Sequence, residues 1–381
     1  MPERKRLLVT GATGFLGSHL SYRLLEQGHR VLALARGSRN VSACERVVDT
    51  LKSVAGSEEA LSPMMDRLDV VEGDISQPGF GLNDDARSRI ISATDEIWHC
   101  AASLSFAEED REEIFHLNVG GTEKLLEIVE QIPGRRLHHV STAYVAGDRS
   151  DVVKETDIDV GQRFKNPYEE SKFRSELMIA EAHRNGLARA SVYRPSIVIG
   201  DSKTGRVTHF HGVYAFIRGL WSVLERLRRR LPHESVISLP LRVSGSKSTT
   251  LNFVPIDYVV DGMVEIGNMP SSLGKTYHLT NDTPTPNSLW LSDICRIMRV
   301  EGVELTGEES FEKTPMTKLE MLFQKQMAFY YMYLSGEPKF DARNTHQALT
   351  GTGIECPPVT GEFTEKMMGW YLNYLRSNGD R

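Results

Sequence analysis

A glycine-rich stretch close to the start of the chain limits its possible folds more than any other segment. Residues 10–17 read TGATGFLG, and they lie between the apolar run 7–9 and a helical pattern over 15–27. Glycine lets a backbone turn tightly and approach a pyrophosphate closely, and the N-terminus of the following helix offers free N–H groups to phosphates. The spacing GxxGxxG is weak alone, but its strand–turn–helix context makes it a strong signal for a dinucleotide-binding fold. The residues predicted to surround the cofactor phosphates are Gly11, Thr13, Gly14, Phe15, Leu16 and Gly17.

The residue after the second predicted strand indicates which dinucleotide binds. An acidic residue at this point holds the ribose hydroxyls in NAD sites, whereas an arginine suits the 2′-phosphate of NADP. This chain has Arg36 there, with Arg46 available from the next helix; a solvated arginine after a strand is the alternative. Asp74 is predicted either to meet the adenine amino group or to cap its own turn. The cofactor contacts predicted beyond the glycine stretch are Arg36, Arg46, Asp74, Ile75, Ala101 and Ala102.

Short apolar runs alternate with longer helical patterns through the first half of the chain. Helices are predicted over 113–131 and 168–184, and further strands at 31–34, 70–71, 96–99, 137–141 and 190–193. This alternation predicts an α/β fold, a Rossmann-type doubly wound parallel sheet, followed by a smaller and mostly helical C-terminal substrate domain. We predict an NADP-binding domain made of 1–200 and 250–283, and a substrate-binding region made of 201–249 and 284–381.

Composition excludes several other classes of protein. The 381 residues include 45 basic and 51 acidic side chains, and the net charge of −6 argues against a nucleic-acid partner. The cysteines are far apart and have no metal-ligand spacing, so we expect no metal site and reduced thiols. We find no signal-peptide pattern and no uncharged apolar run long enough to span a bilayer, so we expect a cytoplasmic protein without an integral membrane segment. The four cysteines are Cys44, Cys100, Cys295 and Cys356.

A tyrosine and a lysine four residues apart are the candidate catalytic pair. Tyr168 and Lys172 share one face of the predicted helix over 168–184. The ammonium is expected to lower the pKa of the phenol, so that the pair exchanges a proton beside a carbonyl. Thr142, at the end of the fifth predicted strand, could hold the oxygen of that carbonyl. A surface pair on an ordinary helix is the alternative, and the glycine stretch upstream argues against it.

Taken together, these motifs resemble the extended short-chain dehydrogenase/reductases, and among them the thioester-reductase and fatty-acyl reductase branch, also called the male-sterility family. The resemblance implies a Thr142–Tyr168–Lys172 triad, with Lys172 also touching the nicotinamide ribose. It further implies that Asn118 orders a proton-relay water through its backbone. Residues implied to flank the nicotinamide are Pro195, Ser196 and Ile197. The matching stretches are GATGFLGSHL (11–20), ARG (35–37), VEGDISQPGFGL (71–82), IWHCAASLSF (97–106), NVGGT (118–122), VSTAYVAG (140–147), NPYEESKF (166–173), YRPSIVIGDSKTG (193–205) and NFVPIDYVVDGM (252–263).

The activity that the resemblance implies is NADPH-dependent reduction of an acyl thioester, bound to CoA or to an acyl carrier, to an aldehyde. Whether a second reduction to an alcohol follows is left open by the sequence. One alternative is a ketone or aldehyde reductase, or a secondary-alcohol dehydrogenase, acting on a lipid-like or polyketide substrate with the same triad. A sugar-nucleotide epimerase or dehydratase, and a non-catalytic NADPH-sensing protein, are further alternatives. Dimerisation through a helical face is a default expectation.

Apolar residues recur at helical spacing near the C-terminus. They either pack on the core, line an acyl-chain channel, or contact a second copy or a membrane surface. Tyr214, Phe216 and Trp221 would form the facing wall of such a channel. The residues of the stripe are Met316, Leu319, Phe323, Met327, Tyr330 and Leu334.

Overall fold

The computed structural model describes residues 4–210, 212–231, 233 and 235–378, and the side chains of 324–330 lie outside that description. The strands are β1 (Arg6–Thr10), β2 (Arg30–Ala35), β3 (Leu68–Glu72), β4 (Glu96–His99), β5 (Arg136–Val140), β6 (Val152–Lys154), β7 (Arg189–Pro195), β8 (Ile197–Ile199), β9 (Ile237–Ser244), β10 (Thr250–Leu251), β11 (Phe253–Pro255), β12 (Thr276–Leu279), β13 (Thr285–Pro286), β14 (Val300–Thr306) and β15 (Lys339–Asp341). The helices are α1 (Phe15–Glu26), α2 (Ala43–Ala55), α3 (Glu58–Leu61), α4 (Asp84–Ala93), α5 (Arg111–Phe115), α6 (Gly121–Val129), α7 (Pro167–Arg184), α8 (Val213–Arg230), α9 (Ile256–Gly267), α10 (Asn287–Met298), α11 (Glu308–Lys313), α12 (Lys318–Leu334), α13 (Arg343–Leu349) and α14 (Gly361–Asn378).

A seven-stranded sheet forms the centre of the first compact unit. Its strand order is β12-β7-β5-β4-β1-β2-β3, and every neighbouring pair is parallel. The order reverses between β1 and β4, and in open α/β sheets ligands bind at such a switch point, beyond the carboxyl ends of the strands. The predicted Rossmann-type sheet is confirmed, and the predicted helices at 15–27 and 168–184 agree with α1 and α7 to within one residue.

The chain divides into two compact units, each assembled from separate segments. The first contains Met1–Ser196, Ile256–Thr280 and Phe340–Glu355, and the second contains Ile197–Pro255, Asn281–Lys339 and Cys356–Arg381. The sequence prediction had grouped 340–355 with the substrate-binding region. In the structure the buried carboxylate of Glu155 accepts hydrogen bonds from the backbone N–H groups of Asn344 and Thr345, which ties this segment to the first unit.

The first unit has an apolar core on the sheet. Leu8, Ile97 and Leu137 are fully buried at the centres of neighbouring strands, and Leu125 and Ile128 of α6 pack against them. Burial on this scale contributes about 1.5–3 kcal/mol for each large aliphatic side chain. This core stabilises the sheet, and the sheet in turn positions the loops at its carboxyl edge.

The second unit contains a parallel strand pair that sequence patterning missed. β9 pairs with β14, with an irregularity between Glu301 and Val303. Gly302 lies in that irregularity with φ +85, and a side chain there would come within 3.0 Å of the Leu239 carbonyl oxygen. We expected this region to be mostly helical. The two strands are far apart in sequence, so no local periodicity reports their pairing.

Helices of the second unit pack through aromatic side chains. Phe216 of α8 is buried and lies in edge-on contact with Phe323 of α12, with ring centroids 6.2 Å apart. Tyr214 and Trp221 are also buried, and Leu334 is 5 % exposed, so these members of the predicted walls act as core. Met316 precedes α12 and is exposed, whereas the side chains of Met327 and Tyr330 lie outside the described residues. None of the helices in the described part of the chain is long and apolar enough to cross a membrane.

Candidate active site

The turn between β1 and α1 depends on its glycines. Gly11 has φ +75, and a Cβ on it would lie 2.6 Å from the backbone nitrogen of Ala101. A Cβ on Gly17 would lie 2.2 Å from the carbonyl oxygen of Gly11. The two glycines therefore let the turn pack tightly against the segment after β4 and against the start of α1, and a tight turn before a helix N-terminus suits a pyrophosphate. Thr13, Phe15 and Leu16 are half-buried at the same turn.

Basic side chains meet at the end of β2. Arg36 is the first residue after the strand, and its side chain is 61 % exposed. Arg46 reaches back from α2 and donates a hydrogen bond to the Arg36 carbonyl oxygen. The α2 N-terminus is fixed by a reciprocal capping arrangement between Ser42 and Glu45. Two guanidinium groups are thus available where a 2′-phosphate would project.

Asp74 stands beside Arg36 and also closes its own turn. Its carboxylate accepts hydrogen bonds from the Ser76 backbone N–H at 2.9 Å and the Ser76 hydroxyl at 2.8 Å. An Arg36 nitrogen lies 3.7 Å from the other carboxylate oxygen. Asp74 therefore closes its own turn in the protein without ligand, as one of the two interpretations expected, and a contact with adenine stays a prediction. Ile75 is half-buried and lies against Gly121, whose added Cβ would be 3.0 Å from the Ile75 Cδ1 atom.

Small residues after β4 bring this strand close to the glycine turn. The backbone N–H of Ala101 donates to the Thr10 hydroxyl at 3.4 Å, and Thr10 is hydrogen-bonded to His99 at 2.7 Å. Ala102 is half-buried next to it. Burial raises the pKa of the Cys100 thiol to about 12, which fits packing and not a nucleophile.

Helix α7 carries the candidate catalytic pair. Its start is fixed by Asn166, whose side chain accepts a hydrogen bond from the Glu169 N–H at 3.0 Å, and by Pro167 in the first turn. Lys172 is 3 % exposed, and its ammonium donates to the Val140 carbonyl oxygen at 2.7 Å. The Tyr168 ring packs beside Phe106, with centroids 5.5 Å apart. One helix face thus aims both polar groups at the carboxyl end of β5.

Thr142 joins Tyr168 from the turn that follows β5. The two hydroxyls are hydrogen-bonded to each other. The Thr142 hydroxyl also lies 3.5 Å from the Pro195 carbonyl oxygen and accepts from the Tyr144 N–H. Ser196, which is 7 % exposed, follows Pro195 at the end of the first unit. Thr142, Tyr168, Lys172, Pro195 and Ser196 therefore belong to one region of the first unit, while Ile197 opens the second unit.

The protonation behaviour of the pair differs from the expectation. Burial lowers the pKa of Lys172 to about 8, and the nearby Glu176 carboxylate and Cys100 oppose that shift. Burial also raises the pKa of Tyr168, with only partial compensation from its hydrogen bond to Thr142. The net shift of the Tyr168 pKa is therefore upward in the protein without ligand, opposite in direction to the lowering expected from Lys172, because burial outweighs the opposing contributions. The phenol is protonated at neutral pH and is ready to donate its proton.

The contacts of Asn118 bear on the proton relay that the resemblance implied, and that relay stays a prediction. It lies in a π-helical turn, His116–Gly120, that interrupts the helix predicted over 113–131. Its carbonyl oxygen already accepts hydrogen bonds from the Thr122 and Ser175 hydroxyls, at 2.6 and 2.9 Å. Since a carbonyl oxygen has two lone pairs, a relay water on this atom would have to compete with those bonds. The side chain instead connects the Ser103 backbone with the Ser171 hydroxyl of α7.

A comparison with known protein families shows which family the chain matches. The profile of the NAD-binding family described as "Male sterility protein" matches residues 9–263. The chain belongs to this family. The predicted resemblance is confirmed, and the protein is an oxidoreductase with the NAD(P)-binding Rossmann-type fold of the extended short-chain dehydrogenase/reductases.

Relatives of the chain include parts of large synthetases and reductases. A linear gramicidin synthase polypeptide of Brevibacillus parabrevis is 25% identical over 380 residues, which cover 96% of this chain and 7% of that protein. The large subunit of L-2-aminoadipate reductase from Penicillium chrysogenum is 26% identical, covering 98% of this chain and 27% of that protein. The chain thus spans only a minor part of either relative. Among solved structures, the terminal R domain from the myxalamid PKS-NRPS biosynthetic pathway superposes with a TM-score of 0.79 at 25% identity, covering 98% of this chain and 92% of that one.

Sequence reasoning missed a buried ion pair between α7 and β7. Glu176 and Arg194 are each 1 % exposed and lie 2.6 Å apart at their nearest atoms. Two sequence positions could have drawn attention to these residues, although neither reports that they pair. Glu176 stands four residues after Lys172, and Arg194 directly precedes the predicted cofactor residue Pro195.

Proposed function

We propose that the protein reduces an acyl thioester, bound to CoA or to an acyl carrier, to an aldehyde with NADPH, and that a second hydride transfer gives an alcohol. The observation that carries this proposal is the meeting of the Thr142 and Tyr168 hydroxyls beside buried Lys172, in the same unit as the glycine turn. The family and the synthetase and reductase relatives support a thioester as the substrate.

The chemistry follows from what these side chains can donate. When bound, the nicotinamide supplies the hydride. The Thr142 and Tyr168 hydroxyls hold the carbonyl oxygen of the substrate and stabilise the negative charge that develops on it. For a thioester, the anionic tetrahedral adduct collapses to an aldehyde and expels the thiolate, which then takes up a proton from water. Tyr168 then protonates the alkoxide formed in the second reduction, and the Lys172 ammonium favours the phenolate that remains.

The preference for NADPH rests on the arginines at the end of β2. Arg36 and Arg46 offer charge-assisted hydrogen bonds to a 2′-phosphate, and the strand ends without an acidic residue that would repel it. In this proposal the first unit binds the cofactor and the second unit binds the acyl chain. A cytoplasmic location and a homodimer belong to the same proposal.

The test follows NADPH oxidation by the purified protein with a long-chain acyl-CoA, an acyl-carrier thioester, the matching aldehyde and a β-keto thioester. Consumption with a saturated acyl thioester, together with aldehyde or alcohol in the extract, is the expected result. Turnover of only the aldehyde or the keto compound would instead make the protein a carbonyl reductase. Copurified NAD and turnover of a sugar nucleotide would favour an epimerase. The Tyr168→Phe variant is the control, since it should bind cofactor without turnover.

A further inference from the structure

The buried ion pair behind α7 is bidentate. The Arg194 Nε atom donates to one Glu176 carboxylate oxygen at 2.9 Å, and Nη2 donates to the other at 2.6 Å. Both side chains are almost fully buried, so neither charge is screened by water. A pair of this geometry fixes the carboxylate in one orientation.

Arg194 has further partners that hold it in place. Its Nη2 atom also donates to the Asp157 carbonyl oxygen at 2.9 Å, and Nη1 lies 3.4 Å from the His278 ring. The His278 ring is held in turn by the Asp341 carbonyl oxygen at 2.8 Å. The guanidinium therefore connects α7 to β12, to the segment after β6 and, through His278, to the segment that includes α13. Such a network makes the position of Glu176 rigid.

Lys172 is surrounded by groups that do not supply a compensating negative charge. Burial lowers the pKa of His99 and of His139, and the Lys172 charge lowers both further, so both rings are neutral. The raised pKa of Cys100 keeps that thiol protonated. On α7 itself, Tyr168 is a neutral phenol. The buried Glu169 carboxylate accepts a hydrogen bond from the Lys165 N–H at 2.8 Å, and the Glu170 carboxylate is engaged by Arg111 from α5. Glu176 lies one helical turn from Lys172 on α7, and among the carboxylates of this helix it is the one whose charge supports the Lys172 ammonium.

We infer that Glu176 is a positioning residue that keeps Lys172 in its charged form, and that Arg194 fixes the Glu176 carboxylate for this task. The inference rests on the proposed function, in which the Lys172 ammonium acts. Without an anion one turn away, a buried ammonium loses its proton more easily. The Glu176–Arg194 pair therefore sets the pH above which Lys172 loses its proton and the proposed activity declines.

The decisive measurement is a ¹³C NMR titration of the lysine ε carbons in the cofactor-free protein, with the Lys172 signal assigned by its loss in Lys172→Arg. In Glu176→Gln the pKa of Lys172 should fall by about 1 unit or more, since the anion is gone and the Arg194 charge is unpaired. In Arg194→Gln the pKa should lie above its value in Glu176→Gln. The matched control is Glu181→Gln, an exposed carboxylate at the far end of α7, which should leave the titration unchanged.

The difference between the Lys172 pKa values of the two single variants separates an effect of charge from an effect of structure. If both variants shift the pKa of Lys172 by the same amount and in the same direction, the ion pair has only a structural role and the inference is wrong. Where a single variant fails to fold, the double variant Glu176→Gln with Arg194→Gln leaves no buried charge unpaired. It should still titrate below wild type, and an unchanged pKa would contradict the inference.

A kinetic arm tests the same idea in the working enzyme. Activity that needs charged Lys172 falls as pH rises through its pKa, so the alkaline limb of the kcat/KM profile should move by about 1 pH unit toward acid in Glu176→Gln. If kcat/KM is lower at every pH but the alkaline limb stays at the same pH, the result contradicts the inference. Absence of thioester reduction in the wild type would refute the proposed function alone, because the NMR titration needs neither cofactor nor substrate.

Discussion

Replacing Gly17 by alanine should weaken cofactor binding far more than a single methyl group suggests. The new Cβ would lie 2.2 Å from the Gly11 carbonyl oxygen and 2.8 Å from the Gly11 carbonyl carbon, where contacts under 3.0 Å force something to move. Both atoms belong to the backbone of the phosphate turn, so the N-terminus of α1 must move away from that turn. Overpacking of this kind costs about 1–3 kcal/mol. If the whole cost falls on binding, the Kd for NADPH rises by about 5- to 150-fold.

Isothermal titration calorimetry of Gly17→Ala with NADPH measures this directly. The matched control is Gly369→Ala in α14, where an added Cβ meets no atom within 4 Å. That change should leave the Kd as it is and stabilise the helix by about 0.5–1 kcal/mol. An unaltered NADPH affinity in Gly17→Ala, or an equal loss in the control, would refute the close-approach argument.

Three further predictions concern single side chains. Arg36→Ala should raise the Kd for NADPH by about tenfold or more and leave that for NADH unchanged, as calorimetry with both nucleotides would report. Tyr168→Phe should lower kcat by about 10²- to 10⁴-fold at unchanged NADPH affinity; full turnover would exclude it as proton donor. Burial opposes ionisation of Glu96, but His138, Lys5 and Arg136 outweigh it and lower its pKa to about 2. Its contribution of about 3 kcal/mol is thus present above pH 4.5 and lost as pH falls towards 2, so the Tm gap between wild type and Glu96→Gln should close over that range.

The parts of the site that the sequence predicted are those encoded by local spacing. Gly11, Gly14 and Gly17 lie in one turn, and Tyr168 and Lys172 lie on one helix face, so their patterns can be read without knowledge of the fold. The seven-stranded sheet follows from the same kind of local periodicity. These features needed no information from distant parts of the chain.

The features that could not be predicted from the sequence depend on distant contacts. Burial sets the protonation of Tyr168, and the hydroxyls of Thr122 and Ser175 decide what the Asn118 carbonyl can bind. The pairing of Glu176 with Arg194 is likewise invisible until α7 lies against β7. Sequence periodicity carries no information about solvent access or about partners on other elements, so these properties had to come from the structure.

The division of the chain into interleaved segments affects how the protein can be dissected. The chain passes from one unit to the other after Ser196, Pro255, Thr280, Lys339 and Glu355. A fragment that stops at Ser196 contains the whole glycine turn and the candidate residues Thr142, Tyr168 and Lys172, but lacks β12, the strand that completes the sheet beside β7. Its β7 would be an unprotected edge with free backbone donors and acceptors, which favours aggregation. The nucleotide-binding half therefore cannot be obtained by simple C-terminal truncation, and a soluble version would need the later segments rejoined through designed linkers.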